Sequence, residues 1–170
     1  MSLLTRLFGK SDEQEVMRPL YNAVIARGRE PHWYLDGAVP DTIDGRFEML
    51  SAVLSLVINR LEPEFDQRQN VAWLTELFVS DMDGQLREIG IGDMVVGKHM
   101  GRMMSALGGR IGAYGEGLRE GTLEAALVRN LYRGEQPTAG ALNHTADALR
   151  AFWLALHKSP ADQIVSGNLP

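Results

Sequence analysis

Apolar residues recur along this chain at the three- and four-residue spacing of amphipathic helices, and no segment alternates convincingly with the period of a strand. Proline and glycine interrupt the pattern and mark the ends of six predicted helices. These helices are residues 13–27, 42–61, 67–89, 93–115, 120–132 and 139–157. We therefore expect an all-α fold, a single-domain helical bundle with little or no sheet.

The length of 170 residues suits one domain that buries its own core, and the chain contains no cysteine for disulfides or thiolate metal sites. The net charge of −5 lacks the basic footprint of a nucleic-acid-binding protein, so no nucleic-acid partner is expected. No apolar run reaches the roughly 18 residues of a transmembrane helix. We divide the chain into an amphipathic N-terminal segment (1–10), a helical domain (11–158) and a C-terminal tail (159–170), which is expected to be a loose strap or disordered.

The first ten residues place leucine and phenylalanine at helical spacing beside two basic residues, Arg6 and Lys10. A short basic amphipathic helix binds an anionic membrane surface, whereas an ordinary terminal turn packs on the body or frays. Two basic residues supply only about 1 kcal/mol each of attraction to such a surface, which favours the terminal turn.

Capping and turn residues predict where several of the helices begin and end. Asp41 is expected to cap the second helix, Gly90 to end the third and Asp93 to cap the fourth. The connection before Asp41 carries Trp33 and Tyr34, and aromatic residues in a loop either pack beneath it or anchor a partner. We favour the packed alternative.

The third predicted helix carries two acidic residues with different roles. Asp83 and Arg87 lie four residues apart on its polar stripe and are expected to form an ion pair. Asp81 falls inside the apolar arc, where a carboxylate needs a partner. It either bridges to another element, such as the 90–93 turn or an arginine, which we favour, or serves as a polar docking point for a partner.

The fourth predicted helix carries small residues every three or four positions beside several methionines. Glycine inside a helix costs about 1 kcal/mol relative to alanine, so this stripe needs a reason. The stripe is Gly97, Gly101, Ser105, Gly108 and Gly112. It either receives a neighbouring helix of the same domain, which we favour, or forms a docking groove for a client helix, where methionines adapt to apolar surfaces.

Three basic residues of this helix, Lys98, Arg102 and Arg110, lie away from its main apolar side. Together with Arg87 they form either a local basic patch or, as we favour, an ordinary solvated face.

No catalytic motif emerges. The four histidines form no helical metal pair, and the chain contains neither a phosphate-binding glycine loop nor a nucleophile elbow. Asp81 and Asp83 point to different faces, so their spacing does not make an acid–base pair. We expect no enzyme activity, no metal site and no cofactor.

Two long segments have distinctive sequences. Residues 73–100 read WLTELFVSDMDGQLREIGIGDMVVGKHM, and residues 39–50 read VPDTIDGRFEML. Both resemble signatures of the ubiquinol–cytochrome c chaperone family. The resemblance extends over roughly residues 20–131. It implies a helical, non-catalytic protein that assists cytochrome b before this subunit joins the cytochrome bc1 complex, together with a small partner protein and near the ribosome exit.

The mitochondrial pattern includes a long N-terminal extension that this sequence lacks, so the resemblance implies a bacterial member at the cytoplasmic face of the inner membrane. Its expected partners are cytochrome b or its nascent chain, with peripheral membrane contact and a small partner protein. A helical adaptor for another membrane complex is the alternative. The candidate client-binding residues are Asp81, Asp83, Arg87, Gly90, Gly92, Asp93, Gly97, Lys98, Gly101 and Met104.

Overall fold

The structure, a computed structural model, describes residues 13–88 and 92–170. Short 3-10 turns at Glu15–Met17 and Phe65–Gln67 precede the first and fourth α-helices. In chain order the helices are α1 (Arg18–Gly28), α2 (Pro31–Leu35), α3 (Ile43–Leu61), α4 (Arg68–Glu88), α5 (Asp93–Glu120), α6 (Leu123–Asn130), α7 (Ala139–Lys158) and α8 (Ala161–Val165). The described residues contain no strand, which confirms the all-α prediction. The expected N-terminal segment (1–10) lies outside the described residues.

Helix α3 forms the centre of the molecule. Every residue from Ser51 to Ile58 is buried, so this stretch is covered on all sides. Such a helix needs neighbours all round, and α1, α4, α5 and α7 all pack against it.

The start of α3 is set by a tight turn. Thr42, rather than the expected Asp41, is the N-cap, and its hydroxyl accepts a hydrogen bond from the Gly45 amide at 3.1 Å. Asp41 instead accepts a bond from Arg46 at 2.6 Å. A Cβ on Gly45 would lie 1.9 Å from the Pro40 carbonyl oxygen, so the chain can pass here only with glycine.

The aromatic connection is packed, as favoured. Trp33 is buried, and its indole N–H donates to the Arg27 carbonyl at 2.7 Å. The Tyr34 hydroxyl donates to the Gly28 carbonyl at 2.8 Å. Their neighbour His32 meets His144 of α7, with Nδ1 and Nε2 2.9 Å apart. The short helix α2 is thereby fixed between α1 and α7.

Helix α5 has 28 residues and is about 42 Å long. Gly92 occupies its N-cap, so the expectation that Asp93 would do so was wrong by one residue. The helix also continues past Gly115, where the prediction ended it, and stops at Gly121, whose φ of 75° suits glycine. The expected cap at Gly90 lies outside the described residues.

The segment after Ser159 is a packed strap rather than a disordered tail. Ile164 of α8 is fully buried, and the backbone at Gly167 lies close against Pro19. A guanidinium nitrogen of Arg27 also donates to the carbonyl oxygen of Pro170. In the described parts of the chain, no helix is both long and apolar enough to cross a bilayer.

Candidate binding cleft

A cleft of about 610 Å³ opens between α1, α3, α4 and α5, with Arg133 from the segment after α6 at its edge. Apolar side chains from all four helices line it, and most of them are only partly buried. They are Ile25, Ile43, Phe47, Leu50, Met82, Met103 and Ala106. A concave, mostly apolar surface with a few placed polar groups is the usual form of a binding site.

A buried ion pair lies in the wall of the cleft between α3 and α5. The Nε and Nη2 groups of Arg110 donate to the two carboxylate oxygens of Glu48, each at 2.5 Å. The two side chains are only 14% and 7% exposed. Burying either charge alone is expensive, so this two-pronged contact ties α3 to α5 at this depth.

This pair corrects the prediction that Arg110 belongs to a solvated basic face, although Lys98 and Arg102 are exposed as favoured. Signals for it exist in the sequence. Glu48 interrupts an apolar run in the central helix, and Arg110 lies only about 60° around its helix from the buried Leu107. A lone charge near each of two apolar faces indicates a cross-helix pair.

Two hydroxyls on these helices are buried. Ser51 Oγ and the Tyr114 hydroxyl have no hydrogen-bond partner among the described residues. Burial raises the pKa of Tyr114 well above its usual value, and the nearby Glu48 carboxylate adds to this increase. Tyr114 therefore stays neutral throughout the physiological range.

Asp81 lies in the α4 wall of the cleft. One of its carboxylate oxygens accepts hydrogen bonds from the Tyr21 hydroxyl of α1 at 2.8 Å and from Gln85 at 3.1 Å. The favoured expectation, a bridge to another element, is thus met by a tyrosine rather than an arginine or the 90–93 turn. Burial and this hydrogen bond both raise the pKa of Tyr21, which keeps the phenol protonated as the donor.

Charged groups around the cleft divide into paired and unpaired sets. Arg46 pairs with Asp41 and Arg133 pairs with Asp44. Three exposed side chains of the lining make no hydrogen bond or ion pair with any described residue. They are Arg29, Glu88 and Arg102.

Most of the other candidate residues lie away from the cleft. Asp83 and Arg87 form the expected ion pair at 2.8 Å, on a partly exposed side of α4. Lys98 is exposed, Met104 is partly buried, and neither lines the cleft. Asp93 lies in the first turn of α5, and Gly90 falls in the undescribed gap.

The small-residue stripe of α5, which we call the glycine face, lies on a different side of the helix from the cleft. At 100° per residue, its mean direction differs by about 150° from that of the four α5 residues that line the cleft. A Cβ built on any of its four glycines meets no atom of the described residues within 4 Å, apart from the backbone of its own helix. Thus no part of the described chain packs closely on it, contrary to the favoured expectation. The four are Gly97, Gly101, Gly108 and Gly112.

Within residues 13–88 and 92–170, no cluster of three histidine, aspartate or glutamate side chains has the geometry of a metal site.

Comparison with known proteins decides the family. The model of the family described as ubiquinol–cytochrome C chaperone matches residues 35–169. The chain belongs to this family. Family membership makes it an assembly factor associated with the cytochrome bc1 complex and points to a non-enzymatic role.

A solved structure agrees with this assignment. The crystal structure of the Cbp3 homolog from Brucella abortus matches with a TM-score of 0.80 at 28% sequence identity. The match covers 98% of this chain and 95% of that chain, so the chaperone-family fold extends over the whole helical body. No curated protein sequence matches.

Proposed function

We propose that this protein is an assembly chaperone that binds cytochrome b, or its nascent chain, during biogenesis of the cytochrome bc1 complex. Family membership supports an association with the bc1 complex, and the open apolar cleft supports binding of an apolar client. The cleft is the single observation that carries the proposal, because a chaperone must cover apolar surface that its client has not yet buried.

The dimensions of the cleft suit a helical client. Its lining spans residues 81–88 along α4 and 102–110 along α5. At 1.5 Å per residue these stretches are about 10 to 12 Å long, roughly two helical turns. Helix-in-groove recognition uses apolar anchors over the same distance.

The charges of the cleft support binding rather than catalysis. Glu48 and Arg110 are fixed in an ion pair, and Asp81 is held by two neutral donors. A general base needs a free acceptor beside its substrate. Both oxygens of Glu48 are engaged and one oxygen of Asp81 accepts two hydrogen bonds, while Glu88, the unpaired carboxylate of the lining, has no titratable partner at hydrogen-bond distance among the described residues.

The remaining parts of the proposal concern place and partners. Cytochrome b is a membrane protein, so the chaperone would act at the cytoplasmic face of the inner membrane, in peripheral contact with it. A small partner protein would join it there. The candidate residues on the glycine face, with Asp83 and Arg87, would form a second contact surface on the same two helices.

Site-specific photo-cross-linking tests the proposal in a strain that grows by bc1-dependent respiration. A photoactivatable amino acid replaces Ile43, which is 72% exposed at the cleft, or Leu154, which is 52% exposed on α7 and serves as the control. We expect an adduct with cytochrome b from position 43 and none from position 154.

The identity of the adduct separates the competing explanations. A reproducible adduct with a different membrane protein, combined with normal bc1 levels after deletion of the gene, would favour the adaptor function instead. Equal cytochrome b adducts from positions 43 and 154 would remove the cleft as the binding surface.

A further inference from the structure

We infer that the cleft selects a helical client segment that places a carboxylate beside its apolar face, and that Arg29 and Arg102 receive this carboxylate. The inference rests on the proposed function and specifies the chemistry of the segment that the cleft holds. Charge complementarity carries it, because the internal ion pairs of the cleft leave these two guanidinium groups unused.

Three of the five arginines that line the cleft already form ion pairs. Among the arginines of the lining, Arg110 is committed to Glu48, Arg133 to Asp44, and Arg46 to Asp41. Arg29 at the end of α1 and Arg102 on α5 are exposed and carry no such contact.

Three of the four carboxylates that line the cleft already have a hydrogen-bond or ion-pair partner. Asp81 accepts hydrogen bonds from Tyr21 and Gln85, and its charge also acts favourably on nearby Arg18. Glu88, close to the end of α4, is the one carboxylate of the lining without a hydrogen bond or ion pair to the described residues. An incoming carboxylate therefore meets two guanidinium groups whose donors are unused. An incoming ammonium meets one unpaired carboxylate, Glu88, and one, Asp81, that already accepts two hydrogen bonds and lies near Arg18.

The shape of the cleft favours a helix over an extended strand. Its walls are helices, and strand addition needs a free sheet edge, which the described chain does not contain. A two-turn helix would set its apolar side chains against Phe47, Met82 and Met103 and bring a residue at the edge of that face to the arginines.

A pair of synthetic peptides tests the inference on the full-length protein. Both are 18-residue helices with leucine and alanine on one face and glutamine on the other, labelled with a neutral fluorophore. They differ only at two positions beside the apolar face, which are glutamate in one peptide and lysine in the other. Fluorescence anisotropy measures their affinities at low and at physiological salt.

We expect the glutamate peptide to bind more tightly, with an advantage that shrinks as salt rises. Arg102→Glu should weaken its binding about fivefold or more, because one attraction is replaced by a repulsion, and should improve binding of the lysine peptide. Arg119→Glu is the matched control, since Arg119 is exposed on the same helix outside the cleft, and it should change neither affinity. Arg102→Gln should give an intermediate loss.

Three outcomes would overturn the inference. Equal affinities for the two peptides would show that the cleft recognises apolar surface alone. Absence of binding to a protein with a native circular dichroism spectrum would exclude a helical occupant. Arg102-dependent binding of phosphatidylglycerol vesicles, without peptide binding, would make the cleft a lipid site. In each case a cytochrome b adduct from position 43 would leave the proposed function standing.

Discussion

The two ends of α5 use glycine for different reasons. Near its C-terminal end, a Cβ on Gly115 would lie 2.4 Å from the side-chain oxygen of Asn59, and one on Gly117 would lie 3.0 Å from the Leu123 backbone. On the glycine face nearer the N-terminal end, a Cβ at Gly101 or Gly108 meets no neighbouring element of the described chain within 4 Å. Close neighbours therefore explain the first pair, whereas the described part of the fold gives no reason for the second.

The contrast singles out the glycines that close packing in the described fold does not explain. Each glycine inside an exposed helix lowers stability by roughly 0.5–1 kcal/mol relative to alanine. Gly115 and Gly117 are explained by close approach of their own neighbours. Gly101 and Gly108 have no such explanation within the described chain, and they lie beside the cleft-lining stretch of α5 but on another side of the helix.

We expect the largest loss of stability from breaking the buried ion pair between α3 and α5. Replacing Glu48 by Gln removes the counter-charge of a mostly buried Arg110 and should lower the free energy of unfolding by about 3 kcal/mol. Urea denaturation measures this. Arg133→Ala removes an exposed ion pair with Asp44 and should change the free energy of unfolding by less than about 1 kcal/mol. Similar losses for both variants would mean that the cleft wall does not depend on the buried pair.

A second substitution tests the covered glycines. Gly115→Ala should destabilise the protein by about 1–2 kcal/mol, because Asn59 would have to turn away from the Ser55 and Ile111 carbonyls, to which it donates at 2.9 Å. Thermal unfolding reports the change. If Gly115→Ala were neutral, the contrast between the two ends of α5 would disappear.

The open glycines should respond in the opposite direction. Gly101→Ala and Gly108→Ala should each stabilise the isolated protein by about 0.5–1 kcal/mol, since alanine is the better helix former and nothing obstructs its Cβ. If a client helix packs on this face, the same variants should reduce recovery of cytochrome b in pull-downs. Gly84→Ala, at another open glycine on α4, controls for the gain in stability alone.

The smallest expected effect is at the exposed ion pair of α4. Asp83→Asn should cost about 0.3–0.5 kcal/mol in chemical denaturation, because Asp83 and Arg87 are partly exposed and four residues apart. A marked loss of bc1 assembly despite this small change would place Asp83 on a contact surface. Unchanged assembly would restrict the client contacts to the cleft and the glycine face.

Sequence patterns predicted the helices well because each depends on neighbours three or four residues away. The Asp83–Arg87 pair and the packing of Trp33 follow from equally local signals. The errors at Asp41 and Asp93 are one-residue shifts of a cap, and a cap depends on the backbone angles of the preceding loop. The end predicted at Gly115 failed because that glycine accommodates a neighbouring helix and does not break its own.

The cleft was beyond such patterns, since four helices contribute to it and, of the candidate residues whose side chains the structure describes, only Asp81 lines it. The predicted need of Asp81 for a partner was correct, but its donor is Tyr21, sixty positions earlier in the chain. The spacing of residues within one helix cannot indicate a contact between residues so far apart in the chain.

The helices and the chaperone family could be predicted from the sequence, because periodicity, turn residues and long signatures are local properties. The tertiary structure decided which charges neutralise one another and which remain available, as with Arg110 and Arg102. It also decided that Gly115 is covered while Gly101 is open. The physical reason is that burial and pairing depend on distances between helices far apart in the chain, which packing alone sets.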